Sequence, residues 1–457
     1  MKNNFIKIVK RLKASGFLKS TLTLSSGVVV SQAISFVGLP IISRIYSAAD
    51  MGDFTIITSN ASVIISIAVL GMMTVIMLPE NDDESKSLAR LLTLSTVILS
   101  ALIVGILYVI SPYWKIFNTT DKPYGNALII LYMFVLGSSI NSICYAYVNR
   151  QKLYKVMFWN PILGTGISVG CSIFFGVMGL GFVGYVMSYI LSYIVNIIHL
   201  VIHANPYKGI INNSFLKPSM LLKKYKRFII FQMPANLLSN VGIQIPIQII
   251  EETFSSSVLG MYSMTNRIMS IPISLLANSV NRVYFQEASQ RYNRGEDIAE
   301  LGFKILETYI KIAIIPVSVL IIAGQPIFVL FLGEKWREAG AFASVLGIYY
   351  LVQFCVSCLS GSFVIIGKNS WNLICSLVKM VIGIVLLLLT RMVPTISIYL
   401  FLFIMAGLST LEQVVEEGIY FIYMGLSIKK YLKFVTFYIV VPFFSAFIVQ
   451  WLIYNIQ

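Results

Sequence analysis

Long apolar runs, separated by short polar connections, recur along the chain; residues 28–39, 91–110 and 381–389 are examples. A helix of about 20 residues is long enough to cross the ~30 Å hydrocarbon core of a bilayer. Segments inside a membrane must pair their backbone polar groups internally, and only helices or closed barrels do so. The runs lack the period-two alternation of barrel strands. The pattern therefore predicts an all-α polytopic membrane protein.

The apolar segments fall into two groups of six. The first group lies within residues 21–203 and the second within residues 228–424, and residues 204–227 between them form a lysine-rich linker. We therefore expect two six-helix lobes. A thirteenth apolar segment, 431–454, lies in the additional region 425–457, where one or two extra helices are expected. The predicted spans are residues 21–46, 52–78, 88–110, 124–148, 154–178, 181–203, 228–250, 258–281, 303–323, 341–366, 371–391 and 395–424.

A short internal sequence repeat, called the echo below, supports duplication of a six-helix half. Residues 51–56 (MGDFTI) follow the first span, and residues 259–264 (LGMYSM) follow the seventh, at an offset of 208 residues. The same offset places Gln32 over Asn240. Paired repeats that face a central site are a recurring transporter design. The echo predicts that the two lobes are pseudo-symmetric and surround a central cavity.

The distribution of charge indicates the orientation. Only 12% of the residues are charged and 57% are apolar, whereas soluble domains have about 25% charged residues. If the N-terminus is cytoplasmic, most of the 34 Lys and Arg residues fall in inward-facing segments, as the positive-inside rule requires. The net charge of +15 is then a topology signal and predicts no nucleic-acid partner. The basic residues that fall outward are Lys115, Lys122, Lys335, Arg337 and Arg391.

The first segment, residues 1–20, is basic and has apolar residues at helical spacing. This combination is typical of a short helix that lies on an anionic cytoplasmic leaflet. A cleaved signal peptide is the alternative. The apolar segment that follows is too long for one and has no clear cleavage site, so an anchor is favoured.

Basic residues inside the spans are the most informative polar positions, because each costs about 2.5–3.5 kcal/mol at the bilayer centre. Such residues must face a wet cavity, pair with carboxylates or extend to the interface. Arg267 lies about ten residues, or ~15 Å, into the eighth span. We expect it in a substrate cavity, with pairing to a carboxylate as the alternative. The polar residues that follow it at helical spacing are Ser270, Ser274 and Asn278, and the other basic residues within spans are Arg44, Lys311 and Lys379.

Amide side chains recur every four residues along the seventh span, so they share one side of a helix. Amides offer donors and acceptors that suit a hydroxyl-rich ligand; hydrogen bonding between helices is the alternative role. Gln32 in the first span is a further cavity candidate. The hydroxyls of the second span, Thr55, Ser59, Ser62 and Ser66, fit a cavity or close packing equally. The amide row consists of Gln232, Asn236, Asn240, Gln244 and Gln248.

Lys379 and Glu416 are predicted at similar depth on antiparallel neighbouring spans, with Glu412 on the same face as Glu416. A Lys379–Glu416 ion pair is one interpretation. Alternatively, Glu412 or the pair carries a coupling proton, as intramembrane carboxylates do in transporters. Proton, sodium and membrane potential are the candidate energy sources.

No cofactor or metal is predicted, and no catalytic motif was found. Cys355 and Cys358 have metal-like spacing but no second pair of ligands, so we expect them to pack in the interior. His199 and His203 stand at a predicted cytoplasmic helix end without a third ligand, and an interfacial role is favoured.

Several stretches resemble Wzx-type polysaccharide flippases, over roughly residues 20–423. The resemblance is carried by the segments RIYSAADMG (44–52), PANLL (234–238), GMYSMTNRI (260–268), IPISLL (271–276), FQEA (285–288) and GEKWREAG (333–340). One stretch departs from the pattern. Many relatives carry an Arg and a Glu before Leu-Pro late in the second span, and residues 71–79 here have no charge.

The resemblance implies the multidrug/oligosaccharidyl-lipid/polysaccharide exporter superfamily and a bacterial inner-membrane location. It implies a non-enzymatic transporter that flips undecaprenyl-diphosphate-linked oligosaccharides by alternating access for O-antigen, capsule or related assembly. Arg267 falls within the matching motif, so a role at the diphosphate or at an anionic sugar is implied. Expected partners are this lipid-linked glycan and membrane lipids, with a polysaccharide polymerase and a chain-length regulator as further candidates. The rival functions are a lipid II or multidrug exporter of the same superfamily, or a membrane polymerase or glycosyltransferase.

Overall fold

The structure is a computed structural model, and its described part is helical throughout, with no strand among the described residues. The chain divides into two compact units. The first unit contains residues 16–46 and Ile57–Asn240, and the second contains Ser47–Ile56 and residues 241–440. The described residues are 16–110, 124–208, 217–368 and 370–440.

The first half of the chain forms six long helices and one short one. One of the long helices ends ten residues before its predicted span does, as described below, and the other five agree with their predicted spans to within about six residues. The helices are α1 (Gly16–Ile45), α2 (Ala48–Ala68), α3 (Asp82–Ile110), α4 (Tyr124–Arg150), α5 (Tyr154–Val177), α6 (Gly181–His203) and α7 (Pro218–Lys224).

The second half begins with a wide π turn, Phe228–Gln232, which leads directly into the next helix. Its helices are α8 (Met233–Thr253), α9 (Ser256–Met269), α10 (Asn278–Asn293), α11 (Ala299–Leu332), α12 (Arg337–Ser357), α13 (Ser362–Ile365), α14 (Ser370–Met392), α15 (Ile398–Tyr423) and α16 (Ile428–Val435).

Eleven stretches of the described chain are helical, long and apolar enough to cross a membrane. This confirms the predicted class, an all-α protein that crosses the membrane many times. The predicted eighth span, 258–281, is not among the eleven. Its first part is α9, and Pro272 follows shortly after that helix ends. Proline lacks a backbone N–H donor and disturbs a continuous helix, and a π turn, Ile273–Ala277, follows it.

Two other boundaries differ from the prediction for local reasons. The second span was expected to reach residue 78, but α2 ends at Ala68 because Leu70 and Gly71 adopt positive φ angles of 54° and 64°. A Cβ at Gly71 would lie 2.6 Å from the backbone nitrogen of Met233, so both conformation and space require glycine there. In the second unit, α11 continues to Leu332, past the predicted end at residue 323, with a kink at Ala323.

The described part of the C-terminal region packs onto the second unit. Tyr431 and Phe434 of α16 are buried, and the ring of Phe434 lies 5.3 Å from that of Phe303 on α11. Residues 441–457, which hold most of the predicted thirteenth segment, lie outside the described residues, as do residues 1–15 of the predicted basic segment.

The N-terminal turns of α2 and α9 contact each other reciprocally through their backbones. A Cβ added at Gly52 on α2 would meet the backbone of Ser256, and a Cβ added at Gly260 on α9 would meet the backbone of Ala48. Ala48 and Gly52 are four residues apart, as are Ser256 and Gly260. Both pairs have the small-xxx-small spacing that allows membrane helices to approach closely. The pairs are related by the same 208-residue offset as the sequence echo, so the structure brings the echoed segments together symmetrically.

This contact predicts that Gly52→Ala or Gly260→Ala lowers the free energy of unfolding by about 1–3 kcal/mol, because the added methyl group meets backbone that cannot rotate away. Unfolding of the purified protein in detergent, by heat or denaturant, measures the effect. Gly407→Ala on α15 is the matched control, since nothing lies within 4 Å of its added Cβ. That variant should be neutral or slightly more stable. Equal stability of the Gly260 and Gly407 variants would contradict the contact.

Candidate functional site

The predicted row of amide side chains lies on α8 and on the π turn that precedes it. Gln232 donates from Nε2 to Oδ1 of Asn236 at 2.9 Å. Gln232 is exposed, and the other four members of the row are half-buried. The four-residue spacing therefore gives a polar helix face on which neighbouring amides can touch.

Asn240 connects α8 with α2 inside the first unit. Its Nδ2 donates to Oγ of Ser66 at 2.7 Å, and that hydroxyl donates to the carbonyl oxygen of Ser62 at 2.8 Å. Ser62 donates in the same way to Ser59, and Thr55 donates to the carbonyl of Met51. These bonds have the geometry of the alternative role considered for the row and for the hydroxyls, hydrogen bonding within and between helices.

The far end of the amide row, Gln244 and Gln248, belongs to the second unit. Between Asn240 and Gln244, Gly242 packs closely against α14: an added Cβ would lie 2.8 Å from the backbone nitrogen of Met380. The lack of a side chain at Gly242 thus lets α8 approach the backbone of α14. Gln32, the predicted counterpart in the first span, is half-buried on α1.

Arg267 lies in the last turn of α9, where it is half-buried and contacts other groups of the protein. Oγ of Ser270 donates to the Arg267 carbonyl oxygen at 3.1 Å. The π turn Ile273–Ala277 begins a few residues later, and such turns are frequent at functional sites in helices. The predicted row of polar residues from Arg267 to Asn278 thus starts on one helix and continues past a bend. The side chains of Ser274 and Asn278, its remaining members, lie outside the described residues.

The structure brings Lys379, Glu412 and Glu416 together. The Lys379 ammonium lies 3.7 Å from Oε1 of Glu412 and 3.9 Å from Oε2 of Glu416. The Glu412 side chain is only 6% exposed, whereas that of Lys379 is 37% exposed. One lysine thus lies within ion-pair distance of two carboxylates on α15, which is a larger cluster than the predicted Lys379–Glu416 pair.

The thiol of Cys375, one turn before Lys379, lies within 4.8 Å of both carboxylates. A thiol and two carboxylates resemble a metal-ligand set, but the ammonium of Lys379 lies beside the same oxygens. A cation bound there would be repelled by this positive charge. The donor set therefore fits an internal ion cluster better than a metal centre.

Sequence reasoning missed Glu417, which is 5% exposed on α15. Its Oε2 atom is buried without a hydrogen-bond partner in the described part of the chain, as is Oε1 of Gln413 one turn earlier. Buried carboxylates without a cationic partner favour the neutral form. The sequence did contain a signal for Glu417. Gln413 and Glu417 are four residues apart, so they share a helix face, which is distinct from that of Glu412 and Glu416.

The two other predicted pairs also have defined positions. The rings of His199 and His203 lie 4.8 Å apart at the end of α6. Cys355 and Cys358 are buried free thiols, and Sγ of Cys358 donates to the carbonyl oxygen of Phe354 at 3.4 Å.

Solved transporter structures share this fold. An inward-facing multidrug resistance MATE family transporter of the MOP superfamily superimposes with a TM-score of 0.63 at 14% identity, over 90% of this chain and 96% of that one. A MOP superfamily transporter from Pyrococcus furiosus, described by the reverse polarity of its binding pocket, gives a TM-score of 0.55 at 14% identity, over 90% and 96%. An outward-facing MATE transporter gives 0.54 at 13% identity, over 93% and 98%.

No curated protein sequence matches this chain. Residues 41–341, well over half of its 457 residues, match the family described as "Polysaccharide biosynthesis protein". The matched region includes α2, the amide row and Arg267. The chain therefore belongs to the polysaccharide biosynthesis protein family, and it has the fold of MATE transporters of the MOP superfamily.

Proposed function

We propose that this protein flips undecaprenyl-diphosphate-linked oligosaccharide units from the cytoplasmic to the outer leaflet of the bacterial inner membrane. The products would be used for O-antigen, capsule or a related polysaccharide. The observation that carries the proposal is a half-buried arginine, Arg267, beside a helix bend, in a chain of this family. A row of membrane-embedded amides accompanies it.

The physical argument starts from the charge of the substrate. An ionised diphosphate does not cross ~30 Å of hydrocarbon unaided, because burying a charge without a partner is very costly. Arg267 offers a guanidinium that can hold phosphate through two parallel hydrogen bonds. The amides of α8 offer donors and acceptors to sugar hydroxyls. The lipid tail stays in the bilayer while the head passes by alternating access between inward- and outward-open states.

A multidrug exporter is the second candidate, because multidrug resistance MATE transporters share the fold. The phenotype of a deletion strain distinguishes the two functions. Loss of a flippase leaves lipid-linked units facing the cytoplasm and removes the surface polysaccharide. Loss of a drug exporter leaves the polysaccharide intact and increases drug sensitivity.

A membrane polymerase is the rival of another class, and the same deletion strain tests it. A strain that lacks a polymerase still displays single glycan units on its outer surface. Absence of even single units outside supports flipping and excludes this rival.

Replacement of Arg267 tests the assigned site. We expect Arg267→Ala to reduce polysaccharide export about tenfold or more at normal membrane abundance, because a hydrogen bond to a charged group contributes about 1.5–3 kcal/mol. Arg267→Lys should retain part of the activity, since it keeps the charge and loses the planar fork. Export is measured by complementation of the deletion strain.

The matched control is Arg294→Ala, which removes an exposed arginine of the same unit whose partner, Glu296, lies 3.8 Å away. This variant should export normally. Full export by Arg267→Ala, at the same protein level as the control, would remove Arg267 from the proposed mechanism.

The ion cluster on α14 and α15 is a candidate for coupling to protons, sodium or the membrane potential, or for a structural ion pair. The structural interpretation predicts that Lys379→Met destabilises the protein because a buried carboxylate, Glu412, and a half-buried one, Glu416, lose their cation. The loss should be below the ~3–5 kcal/mol of a fully buried pair, since Lys379 is 37% exposed. Adding Glu412→Gln and Glu416→Gln to that variant should restore stability, as measured by thermal unfolding.

Lys311→Met is the control for this series. Lys311 is 53% exposed and bonds Glu307 at 2.7 Å within one helix turn, so its loss should change stability by less than about 1 kcal/mol. A triple variant that is stable yet no longer responds to a proton gradient in vesicles would favour coupling. A triple variant as unstable as Lys379→Met would contradict the structural pair.

A further inference from the structure

A pocket of about 600 Å³ lies in the first unit where α5 begins and α6 ends. Its apolar wall consists of Leu153 and Val156, and its aromatic wall of Tyr154 and Trp159. The remaining lining residues are all nitrogen bases: Lys152, Lys155, His199 and His203. None of the lining residues within the described part of the chain is acidic. The pocket is therefore amphipathic, and its two ammonium groups suit an anion.

Other basic residues nearby in the first unit already have carboxylate partners. Lys86 bonds Asp82 at 2.7 Å, and Lys224 bonds Glu84 at 2.5 Å. The hydrogen bond to Glu84 raises the pKa of Lys224 above its ordinary value. Asp82 and Glu84 are thus paired with lysines outside the pocket, and the positive charge of Lys152 and Lys155 can be matched by an external anion.

The backbone places Lys152 in an unusual conformation. Its φ angle is +56°, in the left-handed region that non-glycine residues seldom occupy. The connection is tight, because the Tyr154 amide donates to the Lys152 carbonyl oxygen at 2.9 Å. Glycine or asparagine would adopt this conformation more readily. A lysine that occupies it indicates a role for the side chain itself.

Of the two histidines, only His203 can offer a donor to an anion, and it does so only in its charged form. Nδ1 of His203 lies 2.8 Å from the carbonyl oxygen of His199, an arrangement that fixes the His203 ring and leaves Nε2 on its other side. Nδ1 of His199 is buried and has no hydrogen-bond partner in the described part of the chain. The two ammonium groups, together with Nε2 of a charged His203 ring, can surround the oxygens of one phosphate group.

The pocket stands at the level where lipid headgroups meet a membrane protein. Both helices that form it are candidate membrane spans, Tyr154–Val177 and Gly181–His203, and the pocket lies at their ends. Trp159 is 54% exposed and Ile202 is 74% exposed. Exposed tryptophan and tyrosine beside basic residues are typical of the membrane–water interface. A ligand here would place its charged head in the pocket and its tail along the apolar helix surface.

We propose that this pocket binds the phosphate headgroup of an anionic membrane phospholipid. The phosphate is held by Lys152 and Lys155, with Nε2 of a charged His203 ring as a further donor, and the acyl chains lie outside against Trp159 and Ile202. Such a site would fasten the first unit to an anionic leaflet. The proposal does not depend on what the protein transports.

Lipid binding to the purified full chain in detergent tests this site. The probes are dioleoylphosphatidylglycerol, dioleoylphosphatidylcholine at equal concentration, and glycerol 1-phosphate as the soluble headgroup. Bound lipid is counted by native mass spectrometry, and thermal unfolding gives an independent readout. The variant is Lys152→Asn with Lys155→Gln, because asparagine tolerates the positive φ angle while removing the charge.

The control is Lys223→Gln with Lys226→Gln, two exposed lysines outside the pocket, so that both double variants lose the same charge. We expect phosphatidylglycerol to bind the wild type and the control equally, and the pocket variant about 25-fold more weakly, since each of the two lysines near an anionic headgroup contributes about fivefold. Lys152→Arg with Lys155→Arg should retain binding, which separates charge loss from misfolding.

Three results would overturn the proposal. Equal phosphatidylglycerol binding by the pocket and control variants would remove the pocket as the site. Equal binding of phosphatidylcholine would remove the preference for an anionic headgroup. Stabilisation by glycerol 1-phosphate as large as that by the lipid would identify a free-phosphate site in place of a lipid site.

Discussion

The absence of water from the hydrocarbon core is the constraint on which the rest of this structure depends. Backbone N–H and C=O groups pair with each other by forming helices, and all the described spans are helical. Each polar side chain must find its own hydrogen-bond or ion-pair partner. The hydroxyls of Thr55, Ser62 and Ser66 bond to carbonyls of their own helix, Asn240 bonds to Ser66, and Lys379 lies beside two carboxylates. Polar groups are therefore rare in such segments, and the ones that occur, among them the amides of α8 and Arg267, are informative about packing and function.

The helical class and most of the spans could be predicted because hydrophobicity and length alone determine them. Arg267, Lys379 and Glu412 could be identified in the same way, since a charge in a long apolar segment is visible in the sequence. Their partners could not. Lys379 was expected beside Glu416 and lies near Glu412 as well, because helix rotation depends on packing between side chains that are distant in sequence.

The errors in helix boundaries have local backbone causes that hydropathy does not detect. The second span ends at Ala68 because Leu70 and Gly71 turn the chain, although residues 71–78 are as apolar as the helix before them. The eighth span bends after Arg267, near Pro272. The basic pocket was also missed, because Lys152 and His203 are some fifty positions apart and only the packing of α5 on α6 brings them together.

The reciprocal contact of Gly52 and Gly260 bears on how such a chain could arise. In a two-fold symmetric homodimer, residue i of one subunit touches residue j of the other, and j touches i in return. Ala48, Gly52, Ser256 and Gly260 reproduce that relation inside a single polypeptide. An ancestral protein of half this length could have made the same contact with its own copy. Gene fusion would then have allowed the copies to diverge, so that Gln32 in one corresponds to Asn240 in the other while the small residues at the crossing remained.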